Sequence, residues 1–295
     1  MVSTGRQETV VVTGAAGRLG SRIVKRLVEQ GYTVRGTDRV PALNDVPGEF
    51  IQGDMSDTDM AARVLDGADS LIHVGAIPGP SRAEGMEIWD NNVQSTAHLM
   101  LLAKERGLRR IVFSSSAFAM GWAADPAAFV PKYLPLDEDH QPMPFEPYGL
   151  SKLVGEKIGE MVARSSSTSV VSLRFTNVVY PELQKEFPWP APTRKKPLTL
   201  VMWAYADPRD VVEAHILGLQ ADIEGHEAFL IAQPSNRLAE PTVDLIKANF
   251  GDKVEIRGDL EGNASVINTA KAQHMLGWRP RYDWMAETEN EKRQT

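Results

Sequence analysis

The chain has 295 residues, of which 42% are hydrophobic and 24% charged, and its formal net charge at pH 7 is -7. This is a globular composition, and the acidic balance argues against nucleic acid or an anionic membrane surface as the main partner, since both require a concentrated basic face. The lack of cysteine excludes disulfide bonds, a thiolate nucleophile and sulfur ligands for a metal.

We expect a cytoplasmic protein with no membrane anchor and no catalytic metal. Residues 1–8 are too few and too polar for a signal peptide, and no apolar run approaches the roughly 20 residues that a membrane helix needs. The six histidines are scattered without the spacing of metal ligands. His73 lies in a predicted strand and is expected to be a core residue.

Short β-branched runs alternate with helical patterns in the first half of the chain. Apolar residues recur at helical spacing over residues 19–28, and further helices are predicted over residues 92–105 and 148–164. This alternation predicts a parallel sheet that is covered by helices on both faces. Its strands are expected at residues 10–12, 33–37, 50–51, 71–74, 111–113 and 170–175.

After Asn177 the elements become shorter and mixed. Proline is dense in residues 187–192, which predicts an irregular loop within residues 180–199. A helix is expected to open at Asp207 and Pro208, and short strands and helices follow at residues 229–231, 242–249, 254–256 and 269–276. We therefore predict a smaller mixed α/β substrate lobe over residues 178–295. It interleaves with a domain of residues 1–177, to which residues 203–232 return.

A glycine-rich turn joins the first strand to the first helix. Its sequence, TGAAGRLG, is residues 13–20, in which Gly14, Gly17 and Gly20 permit a tight turn, a close approach of pyrophosphate and tight packing of the helix. Arg18 and Leu19 lie in the same turn. The context predicts a dinucleotide-binding sheet of the doubly wound Rossmann type.

Asp38 ends the second predicted strand, at a suitable distance from this turn for a carboxylate that binds the adenosine ribose. A carboxylate there repels a 2'-phosphate, so NAD is favoured over NADP. Arg39 and Arg18 are close enough in sequence to favour the phosphate instead, and they are equally well explained as solvated surface charges.

Tyr148 and Lys152 lie one helical turn apart on the same face of a predicted helix. A tyrosine with its ordinary pKa of about 10 is a poor base at neutral pH, and a fixed neighbouring cation stabilises the phenolate. Ser114, Ser115 and Ser116 follow a buried strand and can present a hydroxyl to the same substrate oxygen, or they are a plain polar strand end.

Several motifs occur in an order that resembles one family, the extended short-chain dehydrogenases/reductases of the NAD-dependent epimerase/dehydratase type. The likeness covers nearly the whole chain. The motifs are the TGAAGRLG turn, Asp38, Gly53-Asp54, Asn92-Val93, the three serines 114–116, YGLSK at 148–152 and RFTN at 174–177.

The resemblance implies roles for individual residues. Ser116 and Tyr148 would touch the reacting oxygen, and Lys152 would bind the nicotinamide ribose and tune Tyr148. Asp54 would face the adenine. The remaining implied contacts are Gly75, Ala76 and Asn92 for the cofactor and Ala117, Phe118 and Asn177 for the substrate. The family also implies a homodimer formed through the helices at residues 92–105 and 148–164.

Two departures from the family bear on the substrate. The loop after Asn177 is short and proline-rich, which makes a UDP or dTDP substrate doubtful, although Arg194, Lys195 and Lys196 could reach an anionic group or could be solvated charges. Ala117 and Phe118 stand where uronate dehydrogenases carry Asn-His. Three tryptophans flank segments near the expected pocket and are equally consistent with a pocket wall or with core packing, namely Trp122, Trp189 and Trp203.

The sequence thus favours an NAD-dependent oxidoreductase that interconverts a secondary alcohol and a ketone, or a lactol and a lactone, on a small carbohydrate-like or other hydroxylated substrate. Tyr148 would move the proton. One alternative is a nucleotide-sugar epimerase or dehydratase, in which the cofactor is restored within one cycle. A second alternative is a regulator that senses NAD(H) without turnover.

Overall fold

A computed structural model describes residues 7–42, 47–79, 83–121, 129–183, 203–238 and 240–283. Within these residues, seven strands form one sheet. In chain order they are β1 (Thr9–Thr13), β2 (Thr33–Asp38), β3 (Glu49–Gln52), β4 (Ser70–His73), β5 (Arg110–Ser114), β7 (Ser169–Phe175) and β10 (His226–Ile231). Four two-residue strands complete the set: β6 (Tyr133–Leu134), β8 (Asn177–Val178), β9 (Tyr205–Ala206) and β11 (Glu255–Ile256).

The order of the large sheet is β10-β7-β5-β4-β1-β2-β3. The strands β3, β2, β1, β4 and β5 pair in parallel, and Val11 stands beside Arg35 of β2 on one side and Leu71 of β4 on the other. The chain order therefore reverses at β1, which is the position where open parallel sheets bind ligands at the carboxyl ends of their strands. The predicted Rossmann-type α/β fold is confirmed.

Helices cover both faces of this sheet. The α-helices of the described residues are α1 (Arg18–Glu29), α2 (Thr58–Val64), α3 (Gly85–Glu105), α4 (Pro147–Arg164), α5 (Pro208–Gln220), α6 (Thr242–Phe250) and α7 (Ala270–Met275), of which α6 contributes to the core of unit 2. Leu99 of α3 belongs to one apolar cluster with Phe113 of β5. The next residue of β5, Ser114, points to the opposite face and contacts His215 of α5. The sheet is thus doubly wound, as predicted.

Local sequence signals explain how several helices begin. Asp57 caps α2, because its carboxylate accepts hydrogen bonds from Asp59 N and Met60 N. Asp207 precedes α5 and accepts from Arg209 N at 2.8 Å, so the predicted opening at Asp207-Pro208 is confirmed. The helix α3 begins at Gly85, earlier than the predicted start at Asn92, and its first turns bury Ile88.

The chain divides into two interleaved units. Unit 1 comprises Met1–Ser115, Ser151–Ser172 and His215–Ala228, and unit 2 comprises Ser116–Leu150, Leu173–Ala214 and Phe229–Thr295. Unit 1 contains the apolar cluster around Val11, Leu71, Leu99, Ile111 and Phe113. Unit 2 has a core of its own, which includes Met120, Leu136, Trp203, Leu238, Leu245 and Phe250. The domain boundary near residue 177 stays a prediction.

Among the described helices, none is both long and apolar enough to cross a membrane.

Candidate active site

The glycine-rich turn of unit 1 packs tightly against its surroundings. Gly14 has φ +67°, and a Cβ built on it would lie 2.8 Å from Gly75 N, while a Cβ on Gly20 would overlap the Gly14 carbonyl oxygen. Gly17 is the N-cap of α1, with no side-chain cap and no acidic residue in the first turn of the helix. The first-turn amides of α1 are therefore suited to an external anion.

Thr13 joins this turn to the loop that follows β4. Its Oγ1 accepts hydrogen bonds from Val74 N at 3.1 Å and Gly75 N at 2.9 Å, and it contacts His73 Nδ1 at 2.7 Å. Gly75 and Ala76, which were predicted to line the cofactor, thus lie next to the glycine-rich turn. A turn of exposed amides with glycines on both sides fits a dinucleotide pyrophosphate.

Asp38 lies beside the same turn. One carboxylate oxygen accepts a hydrogen bond from Ala16 N at 3.1 Å, and the other accepts from Val40 N at 3.3 Å. Arg18 and Arg39 are exposed, and Arg39 Nη1 is 3.5 Å from Asn91 Oδ1. The carboxylate is therefore held near the turn by backbone amides, whereas neither arginine is held there.

Asp54 and Asn92 make mainly local contacts in unit 1. Asp54 is exposed, and its Oδ1 accepts from Ser56 N at 2.9 Å. Asn92 is buried, accepts from Ile77 N at 2.8 Å and donates to Ser151 Oγ at 3.2 Å. Asn92 thus ties the loop after β4 to α4 at the residue before Lys152. The cofactor contacts predicted for Asp54 and Asn92 stay predictions.

The three serines after β5 have three different partners. Ser114 Oγ lies 2.7 Å from His215 Nε2, and the Ser114 carbonyl accepts from Lys152 Nζ at 2.9 Å. Ser115 Oγ donates to Glu156 Oε1 at 2.5 Å.

Ser116 belongs to unit 2 and caps the 3₁₀ turn Ala117–Met120 by accepting from Phe118 N. The triple serine is therefore a hydrogen-bonded strand end, and the contact of Ser116 with a substrate oxygen stays a prediction.

Lys152 is 4% exposed, and its Nζ lies 5.1 Å from the centre of the Phe113 ring. Burial lowers the pKa of Lys152 to about 7.

His73 is also buried, and burial together with the charge of Lys152 lowers the pKa of His73 to about 3. The prediction that His73 is a core residue is confirmed, since its ring lies between Thr13 Oγ1 and Thr96 Oγ1.

Tyr148 and Ser116 are hydrogen-bonded neighbours in unit 2. Tyr148 is buried, and this burial raises its pKa to about 12, while a hydrogen bond with Ser116 acts in the opposite direction and the charge of Glu146 raises the pKa further. The Phe118 ring meets the Tyr148 ring edge-on, with 5.8 Å between their centres. The phenol therefore lies against one polar and one apolar neighbour.

Glu146 is a residue that the sequence analysis missed. Its two carboxylate oxygens accept from Tyr148 N at 2.7 Å and Gly149 N at 2.6 Å, at the start of α4. It thereby fixes the first turn of the helix that carries Tyr148 and, one turn later, Lys152. The available signal was a carboxylate just before a predicted helix start.

The other predicted substrate residues have mixed surroundings. Ala117 is fully buried in the core of unit 2, Phe118 is partly buried against that core, and Asn177 is half-buried in β8. Trp203 is fully buried in the same core. Their substrate contacts stay predictions. The residues Trp122, Trp189, Arg194, Lys195 and Lys196 lie outside the described part of the chain, as does most of the predicted loop.

No group of three or more metal-ligating side chains occurs among the residues that the structure describes. Unit 2 contains a phenol with a hydroxyl partner, and unit 1 contains a buried ammonium on the same helix α4 and a glycine-rich turn at the start of α1. These are the groups that proton transfer beside a bound dinucleotide requires.

Comparison with known proteins identifies one family. The model described as "NAD dependent epimerase/dehydratase family" matches residues 10–232. The chain is 31% identical to a UDP-glucose 4-epimerase of Lactobacillus helveticus over 57% of this chain and 51% of that protein, so it spans about half the length of that relative. It is 24% identical to a UDP-glucose 4-epimerase of Streptococcus mutans over 93% and 92% of the two chains.

Among solved structures, the chain is similar to MoeE5 in complex with UDP-glucose and NAD. The TM-score is 0.70 at 25% identity, and the match covers 94% of this chain and 95% of that one. The likeness extends over both units of the chain.

We predict that Asp38 sets the preference between the two dinucleotides. Asp38→Ala should lower the ratio of the NADPH dissociation constant to the NADH dissociation constant about 10-fold or more, because the carboxylate no longer repels the added phosphate. Fluorescence titration of both cofactors measures this ratio. Asp38→Asn is the control for the Ala16 hydrogen bond, since it keeps an acceptor without the charge. Tighter binding of NADPH than NADH by the unaltered protein would contradict the prediction.

We predict that Lys152 makes stability depend on alkaline pH. Its pKa is about 7 when folded and 10.5 when unfolded, so the unfolded chain binds more protons between these values and the free energy of unfolding rises with pH across that window. Below pH 7 Lys152 is protonated in both states, so the folded state carries the full cost of burying its charge. Lys152→Met should remove this rise, as measured by urea unfolding at pH 7 and pH 9.5.

The matched control for this measurement is Lys157→Met, since Lys157 is an exposed lysine of the same helix that pairs with Glu160. It should leave the pH dependence unchanged. An equal rise in unfolding free energy for Lys152→Met and the unaltered protein would show that the Lys152 ammonium is not the titrating group.

Proposed function

The chain belongs to the NAD-dependent epimerase/dehydratase family, and from this premise we propose that it is a nucleotide-sugar epimerase that inverts a hydroxyl-bearing carbon of a UDP-hexose. The chain is an NAD-dependent enzyme of the extended short-chain dehydrogenase/reductase type. The UDP-hexose is proposed because relatives that match most of the chain are named UDP-glucose 4-epimerases. The sequence alone favoured the dehydrogenase over the epimerase, whereas the present proposal places the epimerase first.

The observation that carries the proposal is the buried Tyr148 with its hydrogen bond to Ser116, on a helix whose next turn carries Lys152. The Tyr148 phenolate accepts the proton of the substrate hydroxyl while Ser116 donates to the same oxygen. When bound, NAD supplies the acceptor for the hydride that leaves the carbon. The phenol then returns the proton to the same oxygen, and inversion would require bound NAD to give the hydride back to the opposite face of the carbon.

The pKa of Tyr148 determines how strongly the site must stabilise the phenolate. With a pKa of about 12, forming the phenolate at pH 7 costs roughly 7 kcal/mol, at 1.36 kcal/mol for each pKa unit. Before the substrate binds, the Ser116 hydroxyl supplies part of this stabilisation by donating to the phenol oxygen, which lowers the pKa, and this part is given up when Ser116 donates to the substrate oxygen. The remainder requires positive charge near the phenol when the substrate and the cofactor are bound, and Lys152 is the cation that α4 provides.

The cycle has no net redox change. One hydride and one proton leave the substrate, and both return to it, so NAD is restored in each turnover. NADH accumulation therefore separates an epimerase from a dehydrogenase.

One observation keeps the dehydrogenase as a second candidate. Phe118 places an apolar ring against the reactive phenol, which favours a small substrate with a hydrophobic face. That enzyme would convert a secondary alcohol to a ketone, or a lactol to a lactone, with net formation of NADH. A regulator that only senses NAD(H) is disfavoured because it has no need of Ser116, Tyr148 and Lys152 together.

We also propose that the chain forms a homodimer through α3 and α4. On α3, Met86 is 70% exposed and Leu101 38% exposed, and on α4 Leu150 is 40% exposed. Light scattering after gel filtration should give twice the chain mass of 32.5 kDa. Leu101→Glu should shift the mass to that of a monomer, because a charge in an apolar interface is left unpaired. Val28→Glu, at a similarly exposed site on α1, should leave the dimer intact.

We predict that Tyr148→Phe lowers kcat for the interconversion of UDP-galactose and UDP-glucose about 100-fold or more, and that it leaves NADH affinity unchanged. The rate is measured with NAD-loaded protein by chromatographic separation of the two sugars. Tyr133→Phe is the control, since it removes another buried phenol hydroxyl of unit 2, which donates to Asp137.

The proposal fails if the unaltered protein interconverts no UDP-hexose and forms NADH from a small hydroxylated substrate. That result would restore the dehydrogenase as the leading function. If Tyr148→Phe retained near-full epimerase activity, the role of the phenol would be wrong while the reaction itself would stand.

A further inference from the structure

Arg237 of unit 2 is a buried cation without a described counter-charge. The residue is 8% exposed, and its Nε has no hydrogen-bond partner among the described residues. Burial lowers the pKa of its guanidinium. Burying a charge without a partner is unfavourable, so an unsatisfied buried guanidinium requires an explanation.

Trp203 adds a second unsatisfied donor next to Arg237. The Trp203 carbonyl accepts from Arg237 N at 2.9 Å, so the two residues are neighbours in space. Trp203 is fully buried, and its indole Nε1 lacks a partner in the described part of the chain. Its φ of 65° is unusual for a bulky residue. Two residues that are joined by a backbone hydrogen bond therefore each hold a buried side-chain donor with no partner among the described residues.

The backbone around Arg237 is fixed without help from its guanidinium. Asn236 is fully buried, accepts from Leu238 N at 2.7 Å and donates to Thr242 Oγ1 at 2.8 Å. Together with the bond from Arg237 N to Trp203, these contacts hold the segment on both sides of Arg237. The local fold thus does not require the guanidinium.

The same core joins these residues to Ser116 and Tyr148. Trp203 and Leu238 belong to the apolar cluster of unit 2 that contains Ala117 and Met120, and Phe118 packs against it. Ala117, Phe118 and Met120 form the turn that Ser116 caps. A ligand that touches the two unused donors would therefore be bound by the unit that supplies Ser116 and Tyr148.

We propose that the Arg237 guanidinium and the Trp203 indole N–H form an oxyanion subsite that binds an anionic group of the substrate. The inference rests on the proposed function only in assigning the anion to the substrate. A planar guanidinium binds a carboxylate or a phosphate through two parallel hydrogen bonds, and an indole N–H can donate a third. The shared chemistry is an oxyanion, which a nucleotide phosphate or a sugar carboxylate provides.

The test compares ligand affinities by calorimetry of the full-length, NAD-loaded protein. Arg237→Met should weaken binding of the anion about 30-fold, because a charged hydrogen-bonding partner is lost, and Trp203→Phe about fivefold, because one neutral donor is lost. The probes are UDP, galacturonate and inorganic phosphate. Arg257→Met is the matched control, since it removes one positive charge from an exposed arginine of the same unit and should leave all three affinities unchanged.

Thermal stability without ligand separates this role from a structural one. Arg237→Met should leave Tm unchanged or raise it, because the variant removes a buried charge that lacks a partner and keeps a side chain of similar length. A guanidinium needed for the fold would instead lower Tm on removal.

The outcomes also separate the subsite from the proposed epimerase. Loss of UDP affinity in Arg237→Met supports both the anion subsite and the UDP-hexose substrate. Loss of galacturonate affinity alone, without UDP binding by the unaltered protein, supports the subsite and overturns the UDP-hexose substrate. Unchanged UDP and galacturonate affinities in Arg237→Met, or a marked fall in its Tm, overturn the subsite whatever the epimerase assay shows. Binding of inorganic phosphate alone, equal in all variants, also overturns it.

Discussion

The end of strand β5 depends on one buried cation. The Lys152 ammonium donates to the carbonyl of Ser114, the last residue of that strand, in surroundings that disfavour its charged form. Further polar contacts hold the same strand end, from Ser114 to His215 and from Ser115 to Glu156. Ser116 follows directly, so its hydroxyl continues an anchored strand end and not a free loop. Such anchoring is what a catalytic hydroxyl needs, because a small displacement greatly reduces the rate.

The start of α4 shows how folding and chemistry compete within unit 2. Glu146 satisfies two amides of the first turn and thereby positions Tyr148, yet its charge makes the phenolate harder to form. Ser116 acts in the opposite direction on the same phenol. The isolated chain therefore holds the tyrosine in place without activating it, and the charge distribution in the complex with substrate and cofactor has to complete the activation.

Strong local patterns explain which parts of the fold could be predicted. The β-branched runs of β1, β5 and β7 and the glycine-rich turn before α1 each have a short-range signature, so the Rossmann-type sheet followed from the sequence. A short strand was expected at residues 254–256, where β11 lies, but the two-residue strand β6 and its pairing with β11 were not, because that pairing joins residues more than a hundred positions apart. At the site, the sequence indicated Tyr148 and Lys152 by their spacing. Spacing did not indicate Glu156 or Arg237, because the roles of these two residues depend on the groups that surround them in the folded chain.

Buried cations of the described chain differ in how they are compensated. Lys152 has the Ser114 carbonyl, and Arg110 of unit 1 donates to the Ala221 carbonyl at 2.6 Å. Among the described residues, Arg237 Nε has no hydrogen-bond partner, and the same holds for Arg110 Nε and Nη1, but Arg110 keeps the Ala221 carbonyl at Nη2 whereas no such carbonyl contact is seen for the Arg237 guanidinium. Stability alone would favour an apolar side chain at such a position. A buried guanidinium is therefore best understood through what it binds, and the proposed anion subsite would lie in the unit that also carries Ser116 and Tyr148.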